Sequence, residues 1–236
     1  MADAVTRISR AYPDRVEVRG RDLTGDLMGR LTFTEYFHLL LTGDEPTEEQ
    51  RFFLDLLLVS IAEHGLMPTN VAARMTLAAD PGSLHGAVAA GILGAGPVVL
   101  GTAEECARLL QDPREPAELV RELRAAGRKV PGFGHPVHRQ VDPRAERILE
   151  LADERGVSGT HVARARAIHA EVGLTMNVSL PIAAVLLDLG FPAASVKAVP
   201  ILARTASLLA HLAEEREQPV GMRLARAAEE AVEYER

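Results

Sequence analysis

Cysteine and lysine are scarce in this chain of 236 residues, which contains one cysteine, Cys106, and two lysines, Lys129 and Lys197. A single cysteine excludes a disulfide within the chain and a cysteine-rich zinc site, so we expect a protein of a reducing compartment. Positive charge therefore rests almost entirely on arginine, whose planar side chain suits two-point contacts with carboxylates and phosphates. Genome composition explains the same bias.

The chain also lacks an excess of positive charge and a long apolar run. Its formal net charge of −7 argues against general nucleic-acid binding, which needs surplus lysine and arginine to neutralise phosphates. The first 13 residues lack the apolar run of a signal peptide, and no stretch reaches the roughly 20 apolar residues of a membrane-spanning helix. We therefore expect a cytoplasmic protein with neither a nucleic-acid partner nor a membrane.

The composition is that of a folded chain, with 47% hydrophobic and 25% charged residues. One compact unit is the starting expectation for this length. From residue 32 onward apolar residues recur at helical spacing, with breaks at glycine and proline. We therefore predict an all-α fold. Residues 15–20 alternate like a short strand, but they are isolated and could equally form an extended lead-in.

Helix boundaries follow from these breaks, and Thr47 and Gln50 have the spacing of a capping box. The helix that they open is apolar on more than one face, which predicts burial between neighbouring helices. The C-terminal residues 222–236 could form an exposed helix or an arm that crosses to a partner subunit. The predicted helices are 47–63, 69–79, 83–93, 102–110, 115–126, 143–155, 160–172, 176–189 and 195–215.

An irregular stretch at 127–143 contains three glycines, three prolines and two histidines. This composition disfavours a continuous helix and exposes backbone groups to ligands. Within it, His135 could exchange a proton near neutral pH, and Arg144 at a helix start could hold a carboxylate. The alternative is a loop histidine that is hydrogen-bonded to backbone.

The sequence Gly-Phe-Gly-His at 132–135, followed by Asp-Pro-Arg at 142–144, resembles the signature of the citrate synthase and citryl-CoA lyase superfamily. The nine-residue step from the histidine to the arginine agrees with that signature. The resemblance covers nearly the whole chain, including Ala-Glu-His-Gly at 62–65 and the arginine-bearing helix at 203–213. The compact length is similar to the lyase module of ATP-citrate lyase and its free-standing relatives.

This resemblance implies a citrate synthase-like multi-helix fold, in which one domain (1–236) has a large helical core and a small mobile lobe at roughly 100–178. It implies catalytic roles for His135 and His64, carboxylate binding by Arg144 and Arg204, and a coenzyme A contact by Arg139. The implied substrates are acetyl-CoA or citryl-CoA with oxaloacetate or citrate. The resemblance implies neither a permanently bound cofactor nor a metal. It also implies a homodimer.

Two positions depart from the family pattern. The family's proton-transferring aspartate ends an Asn-Val-Asp sequence, whereas residues 177–179 end in Ser179. A serine hydroxyl cannot replace that carboxylate as a general base, and such a loss typically costs ~10²–10⁴-fold in rate. Val99 occupies the position of a second family histidine. His85 lies in a similar motif but about fourteen residues too early, so we interpret it as a helix residue.

Two functions of different classes follow. The first is an enzyme that makes or cleaves the carbon–carbon bond between acetyl-CoA and oxaloacetate, weakened by the change to Ser179. The second is a non-catalytic protein that keeps the carboxylate pocket for sensing a carboxylate or acyl-CoA, or for pairing with an active paralogue. The remaining histidines are expected to be exposed or packing residues: His38, His138, His161, His169 and His211.

Overall fold

The computed structural model of the protein describes residues 4–96, 102–134 and 138–235. Helices dominate these residues, which confirms the predicted all-α class. The α-helices are α1 (Phe33–Thr42), α2 (Glu48–Ala62), α3 (Pro68–Ala79), α4 (Leu84–Leu93), α5 (Thr102–Gln111), α6 (Pro116–Ala125), α7 (Pro143–Glu154), α8 (Thr160–Val172), α9 (Ser179–Asp188), α10 (Ala198–Glu217) and α11 (Gly221–Glu230). A π-helix (Leu23–Leu27) and a 3₁₀ turn (Ala193–Ser195) complete the helical elements of this part of the chain.

The N-terminal region forms a small antiparallel sheet of three strands in the order β1 (Ser9–Ala11), β2 (Val16–Val18) and β3 (Arg21–Asp22). The interpretation of the alternating segment as isolated was therefore wrong, because β2 pairs on both sides. Its neighbours are only three and two residues long, too short for an alternating pattern to be visible in the sequence. Val18 is buried with Leu27 and Leu39, so the sheet packs on α1.

Local sequence signals explain where several helices begin and end. Thr32 and Thr47 each form a complete capping box, with Glu35 and Gln50 respectively. α1 ends at Gly43, which adopts the left-handed conformation that glycine tolerates best. The predicted helix starting at Thr47 is thereby confirmed.

The helices pack in two connected groups. In one, α9 contacts α2, α5, α7 and α8, and all its residues between its ends, 180–187, are buried. In the other, α10 contacts α2, α3 and α4, and α11 packs on α3. Since α2 contacts both α9 and α10, it joins the groups, as its predicted two-sided burial requires. The boundary of a small lobe at 100–178 stays a prediction.

Gly91 lets α4 approach α10 and α3 closely. A Cβ atom at this position would lie 2.8 Å from both Leu208 Cδ atoms and 3.0 Å from the Thr69 carbonyl oxygen. A larger side chain would therefore push α4 away from α10 and α3.

By length and composition alone, the helical run Ala193–Glu217 could cross a membrane, with a mean hydropathy of 1.3. This corrects the expectation that no such stretch exists. In the fold, the run includes α10, which packs against α2, α3 and α4. It also carries the buried charged residues Arg204 and Glu215.

Candidate functional site

Arg204 is the most informative residue of the site, because it is a buried cation without a full set of partners. Its side chain lies on α10 and the residue is 3% exposed. Nη2 donates to the Ile61 carbonyl oxygen at 3.4 Å, a long contact. Within the described parts of the chain, Nε and Nη1 are buried and have no hydrogen-bond partner. A guanidinium in this condition requires an anion to compensate its desolvation.

The charges around Arg204 do not neutralise it by direct contact. Burial and the nearby positive charge of Arg144 lower the pKa of Arg204, and the negative charge of Glu63 acts in the opposite direction. On α10, the Glu63 carboxylate instead accepts hydrogen bonds from Ser207 and His211. Arg204 therefore has no direct anionic partner among the described residues, and Glu63 acts on it only through space.

Arg144 is held in position by the carboxylate of Asp142 at the start of α7. Its Nε and Nη2 donate to the two oxygens of Asp142 at 3.0 and 2.8 Å, a two-point contact. The Asp142 side chain is fully buried, whereas that of Arg144 is 20% exposed. Because the contact uses Nε and Nη2, the Arg144 side chain is fixed in direction while part of its guanidinium remains open to a ligand.

The same carboxylate also binds the segment that precedes α9. Asp142 Oδ2 accepts a hydrogen bond from the Val178 backbone N–H at 3.1 Å. Burial alone would raise the pKa of Asp142, but hydrogen bonds and positive charge from Arg144, with the Val178 N–H, outweigh burial and lower it. Asp142 is therefore an anion that connects Arg144 to the segment containing Ser179.

His64 lies in the loop between α2 and α3, within electrostatic range of Arg144. Its ring is perpendicular to that of His138, with centroids 5.7 Å apart. Burial and the positive charges of Arg144 and His138 lower the pKa of His64, and Asp142 opposes them. The neutral imidazole is thus favoured near pH 7, and a neutral ring can donate a hydrogen bond from one nitrogen and accept at the other.

The loop at 130–134 pairs with the residues before α9. Phe133 and Met176 form an isolated antiparallel bridge, the Gly134 N–H donates to the Thr175 carbonyl oxygen at 2.8 Å, and Asn177 Nδ2 donates to the Gly134 carbonyl oxygen at 3.1 Å. This pairing delays the start of α9 to Ser179, three residues after the predicted start. Ser179 donates its N–H to Asn177 Oδ1 at 3.1 Å.

A cavity of about 860 Å³ opens on one side of this loop. Its lining includes residues 128–134, Asn177, Thr102 and Glu105 of α5, and Arg124 of α6. Arg124, Arg128 and Lys129 give one edge of the cavity a positive charge. The predicted coenzyme A contact Arg139 does not line it, and its side chain is exposed.

Comparison with known proteins decides the family. The chain matches the citrate synthase C-terminal domain over residues 2–228. It belongs to the citrate synthase family. Citryl-CoA lyase of Hydrogenobacter thermophilus is 31% identical, with a TM-score of 0.83 over 90% of this chain and 86% of that one.

Other relatives are longer than this chain, which matches only part of each of them. Citrate synthase of Haloferax volcanii is 30% identical over 194 residues, 77% of this chain and 51% of the relative. The chain thus spans about half the length of the curated citrate synthases that it matches. An ATP citrate lyase of Methanothrix soehngenii, solved with citrate and coenzyme A, is similar in fold, with a TM-score of 0.84, 21% identity and coverage of 100% and 42%.

The structure places the predicted site residues of this family member differently. Arg144 lies within electrostatic range of both His64 and Arg204, because its charge lowers the pKa of each. Ser179 is connected to Arg144 through Asp142, and Arg139 is exposed. His135 and Val99 lie outside the described residues. His85 is exposed on α4, in agreement with its interpretation as a helix residue.

Four residues near the site had no sequence signal that singled them out. His138, expected to be exposed or packing, lies beside His64. Glu63 accepts hydrogen bonds from Ser207 and His211, both on α10. Residues 63 and 211 are 148 positions apart, and only the packing of α2 and α3 against α10 brings them together.

Proposed function

We propose that this protein acts on the carbon–carbon bond between acetyl-CoA and oxaloacetate, as a citryl-CoA lyase or a citrate synthase-type acyltransferase. One observation carries the proposal: Arg204 is buried, its Nε and Nη1 lack partners among the described residues, and it lies within electrostatic range of Arg144, which also acts on His64. A ligand that satisfies this site must bring negative charge into a desolvated place. Citrate and the oxaloacetate portion of citryl-CoA meet that requirement with carboxylates.

The proposed roles follow from the chemistry of each group. Arg204 and Arg144 bind separate carboxylates, and neutral His64 hydrogen-bonds the oxygen on the central carbon. During cleavage, the hydroxyl of citryl-CoA loses its proton, the carbon–oxygen double bond of oxaloacetate forms, and the electron pair of the broken bond remains on acetyl-CoA as an enolate. His135 is the proposed proton acceptor, on the resemblance of its motif alone.

The coenzyme A portion fits the cavity beside the loop at 130–134. The positive edge formed by Arg124, Arg128 and Lys129 suits phosphates, and exposed loop backbone suits hydrogen bonds to a base. This cavity adjoins Asn177, two residues before Ser179, so a bound thioester would extend from the cavity toward the carboxylate site. Arg139 remains a proposed contact for a phosphate outside the cavity.

A non-catalytic role is the second candidate, favoured by Ser179. The acetyl-CoA enolate must gain a proton at carbon, which in this family is the task of an aspartate, and Ser179 has no carboxylate to supply it. A protein that binds a carboxylate or acyl-CoA as a sensor, or that pairs with an active paralogue, would need only the arginines and the cavity.

Citryl-CoA cleavage tests the choice between these functions. Purified wild-type protein is incubated with citryl-CoA, and acetyl-CoA release is followed against buffer. Release that disappears in Arg204→Met supports the enzyme. Binding of citrate without release supports the second role, and absence of both overturns the proposed site.

Ser179→Asp sharpens this test. Restoring the carboxylate should raise cleavage by ~100-fold, which corresponds to only ~2.7 kcal/mol of barrier. The gain should vanish in Ser179→Asp with His135→Ala, after folding of each variant is checked by circular dichroism. A folded, citrate-binding Ser179→Asp protein without any gain would contradict an enzymatic origin of the site.

A further inference from the structure

Glu63, the residue directly before His64, holds the loop that carries this histidine. One carboxylate oxygen, Oε1, accepts the backbone N–H groups of His64 and Gly65 at 2.8 and 2.6 Å. The other, Oε2, accepts the Ser207 hydroxyl and lies 3.0 Å from His211 Nε2. The carboxylate thus fixes the loop to α10, the helix of Arg204.

The proton of His211 is located by its neighbours. Arg74 Nε donates to His211 Nδ1 at 3.1 Å, and Arg74 Nη2 lies 2.8 Å from the same atom. A guanidinium has only donors, so Nδ1 must accept and cannot carry the proton. The proton is therefore on Nε2, from which it is donated to Glu63.

Arg74 is itself held by a buried acid. Its side chain and that of Glu215 are each 3% exposed, and Nη1 lies 2.9 Å from Glu215 Oε2. Glu215 Oε1 accepts the N–H groups of Val220 and Gly221 at 2.9 and 2.7 Å, where α11 begins. The hydrogen bonds form one series from α11 through α3 and α10 to the His64 loop.

We propose that Glu63 is a positioning residue, which His211, Arg74 and Glu215 hold in one orientation so that His64 faces the ligand bound by Arg204. The inference rests on the proposed carboxylate site. It assigns the series a purpose beyond packing, because its last hydrogen bonds end on the backbone of His64 and Gly65. Glu63 itself does not touch the ligand.

Simple electrostatics makes the opposite prediction, which gives the inference a sharp test. Glu63 is an anion that acts on Arg204, so its removal should strengthen anion binding if charge alone matters. If Glu63 positions His64, Glu63→Ala should weaken citrate binding instead. Glu63→Gln should weaken binding less than Glu63→Ala, because its amide oxygen can still accept both backbone N–H groups, although its NH2 group cannot accept the Nε2–H of His211.

The experiment measures citrate binding by calorimetry for wild type, Glu63→Ala, Glu63→Gln and Glu214→Ala. Glu214 is the matched control, an exposed acid that pairs with Arg74 but touches neither His64 nor Gly65. We expect Glu63→Ala to weaken binding roughly 10- to 100-fold, the scale of a misplaced binding group. The Kd of citrate for Glu63→Gln should lie within about fivefold of the wild-type Kd, and that for Glu214→Ala within about twofold. Both changes are smaller than tenfold, which corresponds to about 1.4 kcal/mol.

Two nuclear magnetic resonance readouts need no ligand. The amide protons of His64 and Gly65 should lose their downfield shifts in Glu63→Ala and keep them in Glu63→Gln. The nitrogen shifts of His211 should show an unprotonated Nδ1, and a proton on Nδ1 would overturn the series.

A wild type that binds neither citrate nor oxaloacetate overturns the proposed function. Wild-type binding that Arg204→Met abolishes but Glu63→Ala leaves unchanged or strengthens overturns the positioning role alone.

Discussion

Arg74 and Arg204 are both buried arginines on neighbouring helices, but their surroundings differ. Arg74 has buried Glu215 as its partner, whereas Arg204 keeps two buried nitrogens, Nε and Nη1, without a partner in the described residues. Burial without pairing is unfavourable for a charge. We interpret Arg204 as a ligand-binding residue kept at the expense of stability, and Arg74 as a structural one.

The variants Arg204→Met and Arg74→Met should therefore have opposite effects. Arg204→Met should leave the free energy of unfolding unchanged or raise it by about 1–4 kcal/mol, because an unpaired charge is replaced by an apolar side chain. Arg74→Met should lower it by about 3–5 kcal/mol, because Glu215 loses its buried partner. Urea unfolding without ligand measures both, and a strongly destabilised Arg204→Met would contradict the interpretation.

Asp142 should make stability depend on pH in the acidic range. Its pKa is lowered in the folded protein relative to ~3.9 in an unfolded chain. The folded state thus binds fewer protons, so the stabilisation is complete above pH ~5 and is lost as the pH falls through the lowered pKa. Wild type and Asp142→Asn should differ most in urea midpoint near neutral pH, and the difference should shrink as the pH falls below ~4. A difference that stays constant with pH would argue against the charged contact.

At the scale of elements, the loop at 130–134 depends on Gly132 for close packing. Gly132 has φ +86°, and a Cβ atom there would lie 2.7 Å from Leu180 Cβ and 2.9 Å from Cys106 Sγ. Gly134 has a similar φ of +80°, but a Cβ atom there would meet no atom of the described residues within 4 Å. Comparing substitutions at Gly132 and Gly134 therefore separates the cost of backbone strain, which both share, from the cost of steric overlap, which only Gly132 has.

Alanine at these two glycines should therefore differ in effect. Gly134→Ala should lower the free energy of unfolding by about 1–2 kcal/mol, because alanine is strained in the left-handed conformation. Gly132→Ala should cost that amount plus about 1–3 kcal/mol for overpacking, and it should weaken citrate binding through the displaced α9 start. Thermal unfolding of both variants provides the comparison, and equal losses would place the strain in the backbone alone.

Local signals predicted the helices well, and long-range contacts explain what they missed. The capping box at Thr47 gave the correct start of α2 because its hydrogen bonds lie within four residues. The start of α9 was predicted too early, since the bridge between Phe133 and Met176 holds residues 176–178 out of the helix. The positioning series had no local pattern, because Arg74 and Glu215 are 141 residues apart.

The same contrast applies to the site. The resemblance placed His64, Arg144 and Arg204 in one site, and this assignment stays a prediction that is supported by the effect of Arg144 on both other residues. It could not indicate that Asp142 also binds the Val178 N–H, or that His138 lies against His64, because both contacts depend on how the loop folds onto α9. The roles of His135 and Arg139 stay predictions.

At the scale of the whole molecule, exposed apolar residues support the predicted homodimer. Leu93 on α4 is 86% exposed and Leu209 on α10 is 47% exposed, and the two helices pack together. Only 39% of the most apolar part of the Ala193–Glu217 run is buried within the chain. A second copy of the chain is the proposed cover for this face. The cytoplasmic location also stays a prediction.

Light scattering at micromolar concentration tests the homodimer. Wild type should have twice the chain mass, and Leu93→Asp with Leu209→Asp should have the mass of one chain, because charges in an apolar interface are costly. Val5→Asp is the matched control, since Val5 is 77% exposed but lies in the N-terminal region. A monomeric wild type would remove the dimer from the account.

The central claim is that Arg204 and Arg144 bind the carboxylates of one ligand beside His64. A crystal structure of the wild-type protein with citrate or oxaloacetate tests it most directly. We expect one carboxylate within hydrogen-bond distance of Arg204 Nε and Nη1, a second on Arg144, and the two-point contact between Arg144 and Asp142 unchanged. A ligand bound elsewhere, with Arg204 Nε and Nη1 still unpaired at saturating concentration, would show that Arg204 is not a carboxylate-binding residue.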